Sequence, residues 1–480
     1  MGNTLYAGVG RRVINAALGT RKVGMRIFGD PIPAYESDLT GTVLVLGDGV
    51  NKVAIIATDL AGFSAPVVDE VRHRVAEAIG VPPSNIMLNG SHNHSSPALP
   101  GVIPDTPEQM IFKNRYKERL VGWLGEAAAE ANQSLRKARI GAGWGEVRIG
   151  VYRREIGPDG KGVLGEVPDA RIDPAVGVVR VDDLEGNPIA ILFSCGCHAV
   201  TMGPRAIVGS ADFPGPAREV VERTLGGMAM FLQGCGGNID PTVGIGYEVD
   251  CRDNKNRTGI MLGAEVLKVA CDIRTHVRRG PRTTLGNVPN ILFTPWIPVE
   301  GNTCSYLGVA EEVVKLHFVD LPTMEEAVAI RDHWKQVLSD RQAKGAQEWE
   351  IRVALQFTRW SEGLVEAVRN GHPTADLNIQ VLRINDIVIA GLNVEAFFET
   401  GLAIKARSPF QHTLVLGYTN GSFHYLPRAE DYPKGGWKLG ESYALPDMLF
   451  QGAGLPVALH PDSERTAVER TSALIQRLAV

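Results

Sequence analysis

The sequence predicts an α/β protein, on three observations. Short β-branched runs alternate with longer amphipathic segments along the chain, and one early stretch has an explicit β-α-β rhythm. The 480 residues are 44% hydrophobic and 21% charged, the composition of an ordinary globular chain with a sizeable core.

The rhythm runs from VAIIATD (Val53–Asp59), a buried strand, through a helix over Pro66–Gly80, to the strand NIMLNG (Asn85–Gly90). A long helix is expected over Pro107–Ala138, where Leu120, Leu124 and Ala128 recur on one face. Strands follow at Val176–Val181, Pro188–Cys195 and Met228–Gln233, and helices near Asp253–Arg278 and Pro322–Gly345. LNIQVLRI (Leu377–Ile384) and DIVIAGL (Asp386–Leu392) form a strand pair across a tight turn, and a last helix spans Asp462–Leu478. No internal repeat and no linker stands out, so residues 1–480 are read as one domain. A sub-boundary is allowed at 279–296, where GPRTTLGNVPN is rich in turn residues.

Charge narrows the function. With 54 acids against 49 bases and no basic block, nucleic-acid binding is excluded. No apolar run reaches the length of a membrane span, so no membrane insertion is expected. MGNTLYAGVGRR lacks the order of a secretory signal, and Tyr6 stands where a myristoylation motif needs Ser or Thr, which points to the cytoplasm. The six cysteines contain no C-x-x-C pair and are expected as buried thiols, Cys195 and Cys197 among them.

Candidate ligands cluster at predicted strand ends. His92 and His94 in SHNHSSP would leave one face of an extended segment and converge on one ion, and His198 ends a strand read as Ile189–Cys197. Neutral imidazoles favour zinc, whose catalytic sites use about three protein ligands. Glu395 follows a strand and opens the helical stretch AFFETGLAIKARS; it is a ligand candidate or a helix-start acid. In LQGCGGNIDP (Leu232–Pro241) three glycines would let backbone approach a ligand and present Asn238 and Asp240, the alternative being a plain turn. Asp59 and Asp212 are suited to orient a ligand histidine through its other ring nitrogen, the alternative being plain turn formers.

Taken in order, YAGVGR, SHNHSSP, VYRR, CHAVTMG with SADFPG, QGCGGNIDP, VEAFFETG and TNGSFHYLPRAEDY resemble the catalytic domain of the neutral ceramidase family, zinc amidases that split ceramide. The resemblance runs from Tyr6 to about Tyr432, with no matching motif between Asp253 and Asp376. It implies mixed β-sheets flanked by helices, zinc held by His92, His198, Glu395 and Tyr425, and His94 and Arg153 on the substrate side. Around Glu395 only that glutamate and Gly401 are kept. Two departures qualify it: Asp240 stands where the family has its serine nucleophile, with Asn238 for the preceding acid, and Trp437 replaces a tyrosine. The family's C-terminal β-sandwich and leader are also not expected.

Together these imply a zinc-dependent hydrolase of an amide or ester bond, cyclic ones included, in a small polar substrate rather than ceramide. Metal-activated water would attack, with Asp240 as general base and His94 and Arg153 stabilising the oxyanion. Asp240 as a further ligand, or as a nucleophile, are variants. A zinc-dependent lyase or isomerase acting on a sugar-like or hydroxy-acid substrate is the alternative, and a non-catalytic metal-stabilised binding protein the second. Arg153, Arg154 and Arg205 hint at a polar or anionic substrate. Size is compatible with a homo-oligomer, a state the sequence leaves open.

Overall fold

The computed structural model describes every residue except 1–2, 25–29, 102–106, 159–161, 204, 245–250, 287, 302, 372–373, 422–423, 435–454 and 480. Trp437 lies outside the described residues. In the first sheet β1 (Tyr6–Val13), β2 (Thr40–Gly47) and β3 (Lys52–Thr58) are antiparallel neighbours. β4 (Ile86–Gly90) then lies parallel to β3 after the crossover helix α1 (Ala65–Ile79). A second helix, α2 (Pro107–Gln133), packs on β1 and β2. It ends sooner than predicted, because the chain turns at Ser134 into β5 (Arg136–Lys137), the edge strand beside β1. The glycines of YAGVGR explain that packing: a Cβ on Gly8 or Gly10 would stand 2.0 or 2.2 Å from a carbonyl oxygen of α2.

The same order of elements then occurs twice more. The second sheet holds β6 (Arg139–Glu146), β9 (Ala175–Asp182), β10 (Pro188–Cys195) and β11 (Met228–Gln233), with β11 parallel to β10 after α3 (Pro214–Leu225). α4 (Arg252–Asp272) follows. Between β6 and β9 the chain forms β7 (Gly150–Ile156) and β8 (Gly162–Val167), and β12 (Ile239–Pro241) adds to β7. Beyond α4 lie two small ribbons: β13 (Val277–Arg279) pairs with β16 (Trp296–Pro298), and β14 (Thr283–Leu285) with β15 (Val288–Phe293). The predicted helix over Asp253–Arg278 therefore ends at Asp272 and its last residues form a strand.

The third sheet holds β17 (Leu307–His317), β18 (Thr374–Ile384), β19 (Ile387–Leu392) and β21 (His412–Leu416). β21 is parallel to β19 after α7 (Phe398–Arg407), and α8 (Ser463–Arg477) closes the chain. β20 (Glu395–Ala396) pairs with β22 (Tyr425–Leu426). Between β17 and β18 stand α5 (Met324–Ala343) and α6 (Glu348–Asn370), packed on each other. α6 is absent from the sequence reading although Phe357, Trp360 and Leu364 have helical spacing.

Side-chain alternation explains the layers. In β2, Val43 and Val45 face the core under α1 and α2, whereas Leu44 and Leu46 face a core shared with the other two sheets. That shared core takes Val179, Val181, Leu192 and Leu232 from the second sheet and Leu382, Ile389 and Leu416 from the third. The outer faces of those sheets are covered by α3 with α4 and by α7 with α8. Three sheets thus enclose one centre, with helices outside. No repeat was read from the sequence, because the three units share topology while their insertions differ in length and kind. No helix among the described residues is long and apolar enough to cross a membrane.

Candidate metal centre

Each sheet contains a parallel strand pair, and the residues after those strand ends meet in one place, where open α/β sheets commonly place their sites. After β4, His92 takes a left-handed φ of 56°, with its N–H donating to Leu60 O at 3.1 Å. The segment is therefore not extended, and the same-face argument for His92 and His94 fails. The turn brings the rings together instead, with their Nε2 atoms 3.1 Å apart. β10 ends at Cys195, as the Pro188–Cys195 reading has it and short of the Ile189–Cys197 reading, and His198 is held beyond it by its N–H to Ile239 O at 3.0 Å.

The Nδ1 atoms decide the tautomers. His92 Nδ1 meets Ala61 O at 3.0 Å, His94 Nδ1 meets Gly24 O at 2.8 Å, and His198 Nδ1 meets Gly236 O at 2.7 Å. A carbonyl only accepts, so each Nδ1 carries the hydrogen and each Nε2 offers a lone pair. Ligand atoms of the three histidines lie within 4.8 Å of one another. Glu395 Oε2 is 3.4 Å from Nε2 of both His92 and His198. Lone pairs facing each other at such distances require a proton or a cation between them, and the donor set of imidazoles and carboxylate suits a divalent ion.

Glu395 belongs to β20, and α7 begins at Phe398 with Glu399 as its first-turn acid, so the helix-start reading of Glu395 is corrected. Its register partner is Tyr425. The Tyr425 hydroxyl accepts from Arg153 Nη2 at 2.8 Å, and the same nitrogen lies 3.1 Å from His198 Nε2 and donates to Gly237 O at 2.7 Å. Arg153 Nη1 donates to Asp240 Oδ1 at 2.9 Å, in an ion pair whose side chains are 7% and 3% exposed. All seven residues assigned to the site thus fall in one cluster, although Tyr425 joins it through Arg153 and Asp240 is engaged with a cation.

Electrostatics favour neutral imidazoles. Burial, opposed by Glu395, holds His92 down at about 3, and burial with neighbouring His92 holds His94 at about 3. His198 is lowered by burial and then by Arg153. Burial works against the Arg153 charge, but Tyr425, Asp240 and Glu395 outweigh it and raise its pKa. The sign for stability follows: a histidine depressed in the fold takes up protons mainly when unfolded, so stability falls as pH drops below the ordinary histidine value of about 6.5. Metal-free protein is expected to lose melting temperature steadily from about pH 6.5 toward about pH 3. A pH series by calorimetry with a flat profile across that window would contradict the buried neutral cluster.

Other assignments change. Asp59 pairs with Arg218 at 2.5 and 2.7 Å and with Thr40, while Asp212 binds Thr201 and the N–H groups of Met202 and Phe213. Neither touches a histidine ring; backbone carbonyls do that work. The glycines of GCGG admit the chain itself: a Cβ on Gly237 would stand 2.5 Å from Glu395 O. Asn238 accepts from Phe398 N–H and donates to Glu399, fixing the start of α7. Cys195 and Cys197 are buried with raised pKa, as expected, whereas Cys271 is exposed. Sequence reasoning missed Tyr418, fully buried with φ 52°, whose ring centroid is 4.2 Å from that of His92 and whose hydroxyl reaches Glu395 Oε2 at 3.5 Å. An aromatic residue in GYTNG directly after β21 was the available signal.

Fold and cluster together define an α/β protein with a buried histidine and carboxylate centre at the strand ends of three sheets. No protein-family model matches the chain. Neutral ceramidase A of Dictyostelium discoideum is 24% identical over 229 residues, 43% of this chain and 30% of that protein. Neutral ceramidase B of the same organism is 23% identical over 215 residues, 40% and 29%. The matched segments thus span under a third of these curated relatives. The crystal structure of neutral ceramidase from Pseudomonas aeruginosa covers all of this chain and 75% of its own, with a TM-score of 0.65 and 18% identity. A ceramidase complexed with C2 gives a TM-score of 0.65 and 16% identity over 99% of this chain and 75% of its own. The motif resemblance is supported on both counts: the chain is neutral ceramidase-like in sequence and in fold.

Proposed function

We propose that the chain is a zinc-dependent hydrolase of an amide or ester bond, cyclic ones included, in a small polar substrate. One observation carries the reading: Nε2 lone pairs of His92, His94 and His198 converge beside the Glu395 carboxylate. His92, His198 and Glu395 would hold the ion with Tyr425, and His94 adjoins them. When bound, the ion supplies Lewis acidity to a substrate carbonyl and to water. The other roles belong to this chain. Arg153, permanently charged and fixed by Asp240, Gly237 and Tyr425, is suited to stabilise negative charge developing on the carbonyl oxygen. Asp240 Oδ1 is bonded to Arg153, and Oδ2 has no hydrogen bond among the described residues, so Oδ2 is the atom that would take a proton. His94 Nε2, a lone-pair atom, would accept a hydrogen bond from a polar substrate group, which corrects the oxyanion-stabilising role expected of it and leaves that role to Arg153. Aspartate in place of the family's serine supports direct hydrolysis over an acyl-serine route and argues against ceramide itself.

The test combines metal analysis with turnover of an amide and ester panel in isotopically labelled water. About one zinc per chain is expected, with activity lost on chelation, restored by zinc, and label in the product. Turnover without label would favour a lyase or isomerase. Full metal occupancy with no turnover of any substrate would leave a metal-stabilised binding protein.

A further inference from the structure

The β14–β15 ribbon departs from the packing seen elsewhere. Every residue from Pro281 to Gly286 and from Asn290 to Phe293 is exposed, although Leu285, Ile291, Leu292 and Phe293 are among them. Leu285, Ile291 and Leu292 are 51%, 47% and 55% exposed, so both faces of a two-stranded ribbon are in water. An isolated ribbon of this kind is marginal on its own, and contiguous exposed apolar surface marks an interaction site.

Charge says what would cover it. From Ile273 to Val299 there is no Asp or Glu, while Arg274, Arg278, Arg279 and Arg282 fall within it. These four form no block in sequence, but the β13–β16 pairing gathers them at the base of the ribbon. Arg274 and Arg279 lie 4.4 and 4.0 Å from the centroid of Trp296, which is 43% exposed. None of the four pairs with a carboxylate among the described residues. Exposed Leu285, Ile291 and Leu292, a tryptophan at the ribbon's root and arginines without carboxylate partners match the layers of a bilayer with anionic headgroups. A second copy of the chain would bring the same cations against each other.

We propose that the β14–β15 ribbon docks the protein peripherally on an anionic lipid surface, Leu285, Ile291 and Leu292 entering the headgroup boundary and the arginines meeting lipid phosphates and carboxylates. This docking is independent of the catalytic reading, since it uses none of the centre's residues. The full-length chain is mixed with phosphatidylcholine vesicles, with or without phosphatidylserine, and the bound fraction is read by co-sedimentation. Binding is expected to need phosphatidylserine and to weaken with salt. It should fall roughly fivefold for each of Arg278→Gln and Arg282→Gln. It should drop to the level of pure phosphatidylcholine in the Leu285→Ser, Ile291→Ser, Leu292→Ser variant, whose melting temperature should match the parent because these side chains are in water. Absence of binding to anionic vesicles, or equal binding by the arginine variants, overturns the proposal. So does a dimer in lipid-free solution that the triple substitution dissociates, which would assign the ribbon to a second copy.

Discussion

The His198→Ala chain should bind zinc at least about a hundredfold more weakly than the parent, since even partners one bond removed from an ion cost about 10- to 100-fold when lost. The ring is held in place by Nδ1 to Gly236 O and by the backbone bond to Ile239 O. Competition with a chromophoric chelator measures the affinity. A thermal scan gives an independent reading: zinc at about 100 times its dissociation constant should stabilise the parent by about 2.7 kcal/mol and the variant hardly at all. His73→Ala, on the exposed face of α1, serves as control. Equal affinity in His198→Ala and His73→Ala would remove the basis for the proposed centre.

Breaking the Arg153–Asp240 pair should have the largest effect on stability. Asp240→Leu leaves a buried guanidinium without its counter-charge, a loss of about 3–5 kcal/mol, and Arg153→Leu strands the aspartate in the same way. Combining them should cost much less than the sum, because no lone charge then remains buried. Asp240→Asn separates structure from chemistry. Its amide oxygen can still accept from Arg153 Nη1, so it should destabilise less than Asp240→Leu, while a general base is lost and turnover should fall by about 10²- to 10⁴-fold. Chemical denaturation and initial rates give the two readouts. Additive losses in the double variant would contradict the pairing argument, and an Asp240→Asn enzyme at full speed would leave the aspartate only its hydrogen bond to Arg153.

Much of the fold was legible because buried strands announce themselves locally. Val53–Asp59, Pro188–Cys195 and Met228–Gln233 are unbroken apolar runs between turn residues, and each is a strand within a residue of that range. Helix ends were harder: α2 and α4 stop before polar or β-forming residues that still fit a helical period, and tertiary pairing decides the matter. The candidate site was legible as a set of residue types at strand ends, with the family resemblance naming Tyr425 and Arg153. Its wiring was not. Carbonyls of Ala61, Gly24 and Gly236 carry no side-chain signature, and the left-handed turn at His92 lies in a sequence that also suits an extended strand. Nor does the one-dimensional order reveal that Asp240 faces Arg153, 87 residues earlier, across the β7–β12 pairing.

The threefold recurrence of strands and helices bears on rigidity. His92 follows β4 of the first sheet, His198 follows β10 of the second, and Glu395, in β20, follows β19 of the third, so an occupant of their common focus would rivet the three sheets together. Oil-like contacts already glue the sheets, and they reach the focus itself, where Val394 and Ala396 flank Glu395 in the buried core. Emptying the focus would then remove one tie among the three sheets and leave the apolar contacts and the outer helices in place.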